Sequence, residues 1–146
     1  MVLTLEENLQ GIFSVIFSTI TLIIALIIAL KYLKFKKIEL ILVGIAFIGL
    51  AAPWIAVAVK FILIVTINST LSEELFFIIN LGIVPFTAFC WIMAMTNLMN
   101  VRKKIRFYLY FIWIVFALIF EIIFLFTIFT DTTLIGKFTG TLQVEF

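Results

Sequence analysis

Histidine is absent from the chain, cysteine occurs once, at Cys90, and proline twice, at Pro53 and Pro85. A single cysteine closes no internal disulfide. Without histidine there is no His- or Cys-based metal site and no His- or Cys-based catalytic dyad within one chain. Charge is also scarce, at 12% of 146 residues, where an ordinary soluble domain carries about 25%. The net charge of +2 gives no reason to expect a nucleic-acid partner. What is present is apolar: 66% of the residues are hydrophobic, and the mean hydropathy is +1.38. A small soluble domain keeps most of its atoms near its boundary and cannot hide that much apolar surface. The composition therefore excludes a soluble enzyme, a disordered tail and a disulfide scaffold, and points to the lipid bilayer as the surroundings.

A helix that crosses a bilayer needs about 20 mostly apolar residues. Four stretches qualify, at about 9–30, 38–67, 75–98 and 107–129. The first is too long for the core of a signal peptide and no small-residue cleavage site follows it, so we expect a retained helix. None of the stretches alternates with a period of two, which sets aside a membrane β-barrel. The expected fold class is all-α: a four-helix transmembrane bundle over residues 1–130, followed by a tail over 131–146.

The connections are short and their charge is lopsided. Lys31, Lys34, Lys36 and Lys37 lie between spans one and two, and Arg102, Lys103, Lys104 and Arg106 between spans three and four. Glu6, Glu7, Glu73, Glu74, Asp131 and Glu145 lie on the other side, where Lys137 is the one basic residue. Lysine and arginine near helix ends favour the cytoplasm. Loops 31–37 and 102–106 are thus expected inside a cell membrane and both termini outside. The tail holds four threonines and two glycines. Its end, Thr141, Leu142, Gln143, Val144, Glu145 and Phe146, alternates like a strand. It has no evident partner, so we expect the start of an outer loop of a longer helical membrane protein rather than a fifth helix.

In lipid there is no hydrophobic force between helices, and small residues mark the faces that touch. Gly11, Ser14, Ser18, Ala25 and Ala29 form such a stripe on span one, and Ala46, Gly49, Pro53 and Ala56 on span two. Pro53 removes the bond to the Gly49 carbonyl and Pro85 the bond to that of Leu81, so both are expected to kink their helices. Trp54 and Trp91 are candidates for the core, and Cys90 reads as a small buried apolar residue. Tyr32, Tyr108 and Tyr110 fall where an interfacial aromatic belt would lie. Asn68, Ser69 and Thr70 fit the N-glycosylation pattern.

Ionisable groups inside a span are costly and mark candidate sites. Lys60 in span two and Glu121 in span four are two such groups, and Asn80 in span three lies at similar depth, all in the outer half of the expected bilayer. Lys60 continues the stripe of Gly49, Pro53 and Ala56. A Lys60–Glu121 pair helped by Asn80 would offset the desolvation of both charges. With one lysine and one carboxylate there is no recognisable catalytic set, no phosphate loop and no metal-binding carboxylate cluster, so we expect neither enzymatic activity nor a cofactor or metal.

Two runs carry a resemblance. Ala29, Leu30, Lys31, Tyr32, Leu33 and Lys34 leave span one. Leu81, Gly82, Ile83, Val84 and Pro85, followed by Trp91, mark span three. Over about residues 9–130 the chain resembles the first four helices of the seven-transmembrane sensor region at the N-terminus of prokaryotic histidine kinases and related signalling proteins. The resemblance implies a sensor-like module with its N-terminus outside. Helices five to seven and any output domain of that family have no counterpart in these residues. Three functions stay open at this point: a sensor or receptor-like module for a small ligand or lipid, a small oligomeric transporter or channel using Lys60 and Glu121, and a structural or assembly subunit. Beyond the lipid bilayer, the expected partners are a second copy or another membrane subunit.

Overall fold

The structure is a computed structural model that describes residues 3–138, 140–142 and 144–145. Four helical spans, each long and apolar enough to cross a membrane, form a bundle. α1 is Leu5–Phe35 and α2 is Glu39–Ile67. The third span consists of α3 (Glu73–Phe77), a π-helical segment (Ile78–Gly82) and α4 (Val84–Leu98). α5 is Lys103–Thr130.

α1 runs several residues past its apolar stretch at both ends, and α5 begins four residues ahead of its own. At the start of α1, Thr4 and Glu7 form a capping box in which each side chain takes up the other's backbone N–H, so the helix begins in polar sequence without leaving amides bare. Its far end continues through Lys31 and Lys34, since lysine is a good helix former. It stops at Lys36, which is left-handed with φ 53°. Asn68 and Asn100 end the next two spans in the same conformation, with φ 53° and 54°, which asparagine tolerates better than most residues.

α2 is the central element, packed on α1 along one side and on α4 and the π segment along another. Small residues make these approaches close. A Cβ on Gly11 would overlap the Phe61 ring. One on Gly44 would sit 2.8 Å from the Ala25 carbonyl and 3.1 Å from the Ala29 Cβ, and one on Gly49 would overlap Thr87 of α4. Gly11, Ser14, Ser18, Ala25, Ala46, Gly49 and Ala56 are all buried, as the stripes foretold. Ala29 is half-buried against Gly44, and Pro53 departs from its stripe. It is exposed, within a helix that runs unbroken from Glu39 to Ile67.

The third span does break, in a π segment that ends three residues ahead of Pro85. The π segment widens the helix by one residue per turn, and α4 then restarts with the buried Pro85 in its first turn, where a proline has no amide to lose. The Pro85 carbonyl accepts a hydrogen bond from the Trp113 indole of α5 at 3.1 Å. Nearer the basic loops, Thr96 and Tyr110 are hydrogen bonded at 2.8 Å and Arg106 donates to the Asn97 side chain. Tyr110 is thus part of a helix contact. Trp54 and Trp91 are 46% and 41% exposed, on the outer surface and not in the core. Cys90 is buried.

The tail folds back onto the bundle. A short 3-10 turn at Thr132–Leu134 leads into a two-stranded antiparallel hairpin, β1 (Lys137–Phe138) and β2 (Val144–Glu145), with Lys137 opposite Glu145 and Phe138 opposite Val144. The expected lone strand therefore has its partner within the chain. Of that strand, Gln143 and Phe146 lie outside the described residues, as does Thr139 of the tail. The largest buried side chains gather beneath the hairpin: Phe76, Phe77, Phe124 and Ile128 cluster with Ala56, and Ile135, Phe138 and Val144 pack against them. The middle of the bundle is held by small residues in close approach, whereas this end is held by aromatic packing.

Candidate functional site

The hairpin end of the bundle brings together three polar residues from three different spans. Glu7 comes from the first turns of α1, Lys60 from the last third of α2, and Asn80 from the π segment. All three are about 95% buried, with exposures of 4%, 5% and 4%.

Lys60 meets rings where a carboxylate was expected. Its Nζ lies 3.4 Å from the centroid of Phe138 on the hairpin and 5.4 Å from that of Phe76 on α3. A cation over a ring face is attracted by the ring quadrupole, by about 2 kcal/mol or more once water is excluded. Phe76 and Phe138 themselves meet edge to face, with centroids 5.2 Å apart. Glu73 and Glu7 are the carboxylates near enough to act on Lys60 through space, but among the described residues neither makes a direct ion pair with it.

Glu7 serves both ends of the chain. One carboxylate oxygen completes the capping box with Thr4. The other accepts hydrogen bonds from the backbone N–H groups of Thr141, and of Leu142 at 3.1 Å. Leu142 is 1% exposed, so the hairpin loop is seated on the start of α1. Glu73 adds a third tie by accepting from the Thr132 hydroxyl at 2.9 Å. Outside the spans, the Asp131 carboxylate accepts from the hydroxyl and the amide of Thr133. These bonds hold its pKa below the ordinary carboxylate value, the hydroxyl bond most strongly.

Asn80 lines a cavity of about 140 Å³ between α1, α2, the third span and the hairpin, together with Gln10, Trp54, Val57, Phe76 and Leu142. Its amide makes no hydrogen bond with any described residue. The π segment aims it there: the extra residue in that turn rotates Asn80 off the face that a regular helix would give it.

Glu121 is elsewhere. It is half-buried in a groove between α4 and α5 walled by Pro85, Phe86, Phe89, Trp113, Ile114, Ala117 and Leu118. Among the described residues it has no hydrogen bond and no ion pair. The expected Lys60–Glu121 pair is therefore not formed. Matched depth along two helices said nothing about their rotation, and α5 turns Glu121 towards Pro85 while α2 turns Lys60 towards Phe76. The expected association of Lys60 with Asn80 is closer to what is found, because Phe76 touches both the ammonium and the Asn80 cavity. Glu7 and Phe138 escaped sequence reasoning. Glu7 read as one of several acids at a helix start, although its place three residues after Thr4 was a signal for the capping box.

Comparison with protein-family models, curated proteins and solved structures finds no match to this chain.

Proposed function

We propose that the chain is the membrane module of a sensor, a multi-pass protein with loops 31–37 and 102–106 in the cytoplasm and the hairpin on the far side. The observation that carries this reading is the way the hairpin is held. Two buried ionisable groups, Glu7 and Lys60, are both turned onto it. A purely structural cap is made more cheaply with apolar contacts, because each buried charge has a desolvation cost. A latch of a few charge-assisted bonds and one ring–cation contact differs in free energy by only a few kcal/mol between docked and released states. A ligand with a modest preference for one of them shifts the balance. The π segment and the buried Pro85 sit in the span that links the hairpin end to the second basic loop, and such interruptions are where a helix adjusts with least loss of hydrogen bonds.

The test needs no ligand. Spin labels at Gly140 and Ser69 report hairpin docking, and labels at Lys36 and Asn100 report the separation of the basic loops. Glu7→Ala is expected to broaden the first distance and shift the second. A broadened first distance with an unchanged second would leave the hairpin as a cap and end the sensor reading. Cysteines at Ser72 and Lys36 test the orientation: an impermeant reagent added outside cells should label the first and spare the second.

A second reading, a small oligomeric transporter or channel, draws on Glu121, a carboxylate in an apolar groove with no partner among the described residues. It predicts ion flux in reconstituted vesicles that Glu121→Gln abolishes. Lys60, turned to the hairpin, has no part in it.

A further inference from the structure

We propose that the cavity under the hairpin binds the carboxylate head of a single-chain amphiphile, such as a long-chain fatty acid, which enters sideways from the bilayer past Pro53 and Trp54. This deepens the sensor reading by naming its ligand class.

Four observations carry it. The first is Asn80, 4% exposed, whose amide lines the cavity with no hydrogen-bond partner among the described residues. A ligand that accepts a hydrogen bond would give that amide the partner that the described residues do not supply. The second is Gln10, which lines the same cavity from α1, so that two amide-bearing residues from different helices border one space. The third is Lys60. It does not line the cavity itself, but it lies one helical turn from Val57 of the wall, and its ammonium sits behind that wall, 3.4 Å from the Phe138 centroid and 5.4 Å from that of Phe76. Two amide-bearing residues on the wall, with an ammonium behind it, match a group with two acceptor oxygens and one negative charge, which is a carboxylate. The fourth is the shape. The cavity of about 140 Å³ is well below the roughly 300 Å³ of the smallest drug-sized pockets, so it admits a head and not a whole lipid. Its wall at Pro53 and Trp54 is exposed on the outside of the bundle, where an acyl chain would remain in the bilayer. Leu142 and Val144 of the hairpin form the opposite wall, so an occupant touches the tail directly.

The test uses the full chain in phosphatidylcholine nanodiscs, with Trp91→Phe and Trp113→Phe leaving Trp54 as the one fluorophore. A dibrominated stearate quenches tryptophan on contact. The expected result is saturable quenching of Trp54, relieved by excess stearate but not by methyl stearate or by soluble hexanoate. Lys60→Met and Asn80→Leu are each expected to raise the half-saturating concentration by about tenfold or more, the effect of losing one charged or buried hydrogen-bonding contact. Helical content by circular dichroism checks the fold. Gln10→Leu, at a half-buried position, keeps the test decisive if either of the other variants loses helix. Quenching that rises without saturation, equal competition by the methyl ester or by hexanoate, or unchanged half-saturation in the folded variants would each overturn the proposal. None of these results depends on loop movement, so this site and the sensor reading fail separately.

Discussion

Lys60 and Glu121 are both single charges within apolar spans, and the fold treats them in opposite ways. Lys60 is roofed by a hairpin from the other end of the chain, with Phe138 against its ammonium. Glu121 lies in an open groove among apolar walls, with no element laid over it. The difference lies in what each side chain can recruit. A lysine on a long stem can be satisfied by ring faces, which an aromatic-rich sequence supplies in number. A carboxylate needs donors, and the walls around Glu121 supply none. The first charge is built into the fold, and the second has no hydrogen bond or ion pair among the described residues.

The contrast can be broken most sharply at Glu7. Glu7→Ala removes two hydrogen bonds to the hairpin backbone and is expected to weaken docking by about 3 kcal/mol, at roughly 1.5 kcal/mol per charge-assisted bond. Amide exchange at residues 137–145 should then rise by about two orders of magnitude while the mid-bundle amides of α2 are unchanged. Phe138→Ala comes next. It removes the ring over Lys60 and part of the aromatic cluster, and should cost about 2 kcal/mol, read as earlier loss of the hairpin in a detergent melt.

Lys60→Met combined with Glu121→Leu tests the separation itself. Charges that share no partner give additive effects to within about 0.5 kcal/mol, so the double variant should equal the sum of the singles. Recovery of stability in the double variant would mean that the two groups are coupled after all. Glu121→Leu alone is expected to be neutral or mildly stabilising, because its walls are already apolar.

The smallest effect is at the hairpin's entry turn. Bonds from Thr133 lower the Asp131 pKa in the fold. The turn is therefore fully supported above the ordinary value of 3.8 and loses that support as pH falls through the lower folded value. Local exchange at Thr133 should rise only in strongly acidic solution, and Asp131→Asn should remove the pH dependence. A loosening at neutral pH would contradict this assignment.

Much of the bundle was legible residue by residue. The four apolar stretches could only be helices, since no other segment satisfies its own backbone in lipid. The small-residue stripes marked the close faces correctly because a glycine or alanine at a helix contact acts through its size alone, whatever it meets. Gly49 was read as a contact residue without knowing that Thr87 was the contact. The site was less legible. Depth along a helix follows from counting residues, but rotation about the helix axis depends on every neighbour. A π segment at Ile78–Gly82 shifts that rotation with no signal more distinctive than a glycine before a proline.

Composition and charge distribution are enough to require four membrane-length helices with eight of the ten basic residues in the two loops at one end, because these follow from the cost of taking bare backbone or unpaired charge into lipid. Packing between the spans is what sets Lys60 against Phe138 instead of Glu121, seats Thr141 and Leu142 on Glu7, and opens Asn80 onto a cavity. Each of those contacts joins residues far apart in the chain and turns on orientation as well as depth. A hairpin of two residues per strand is too short to be specified locally and exists because the bundle end gives it aromatic rings and a carboxylate to rest on.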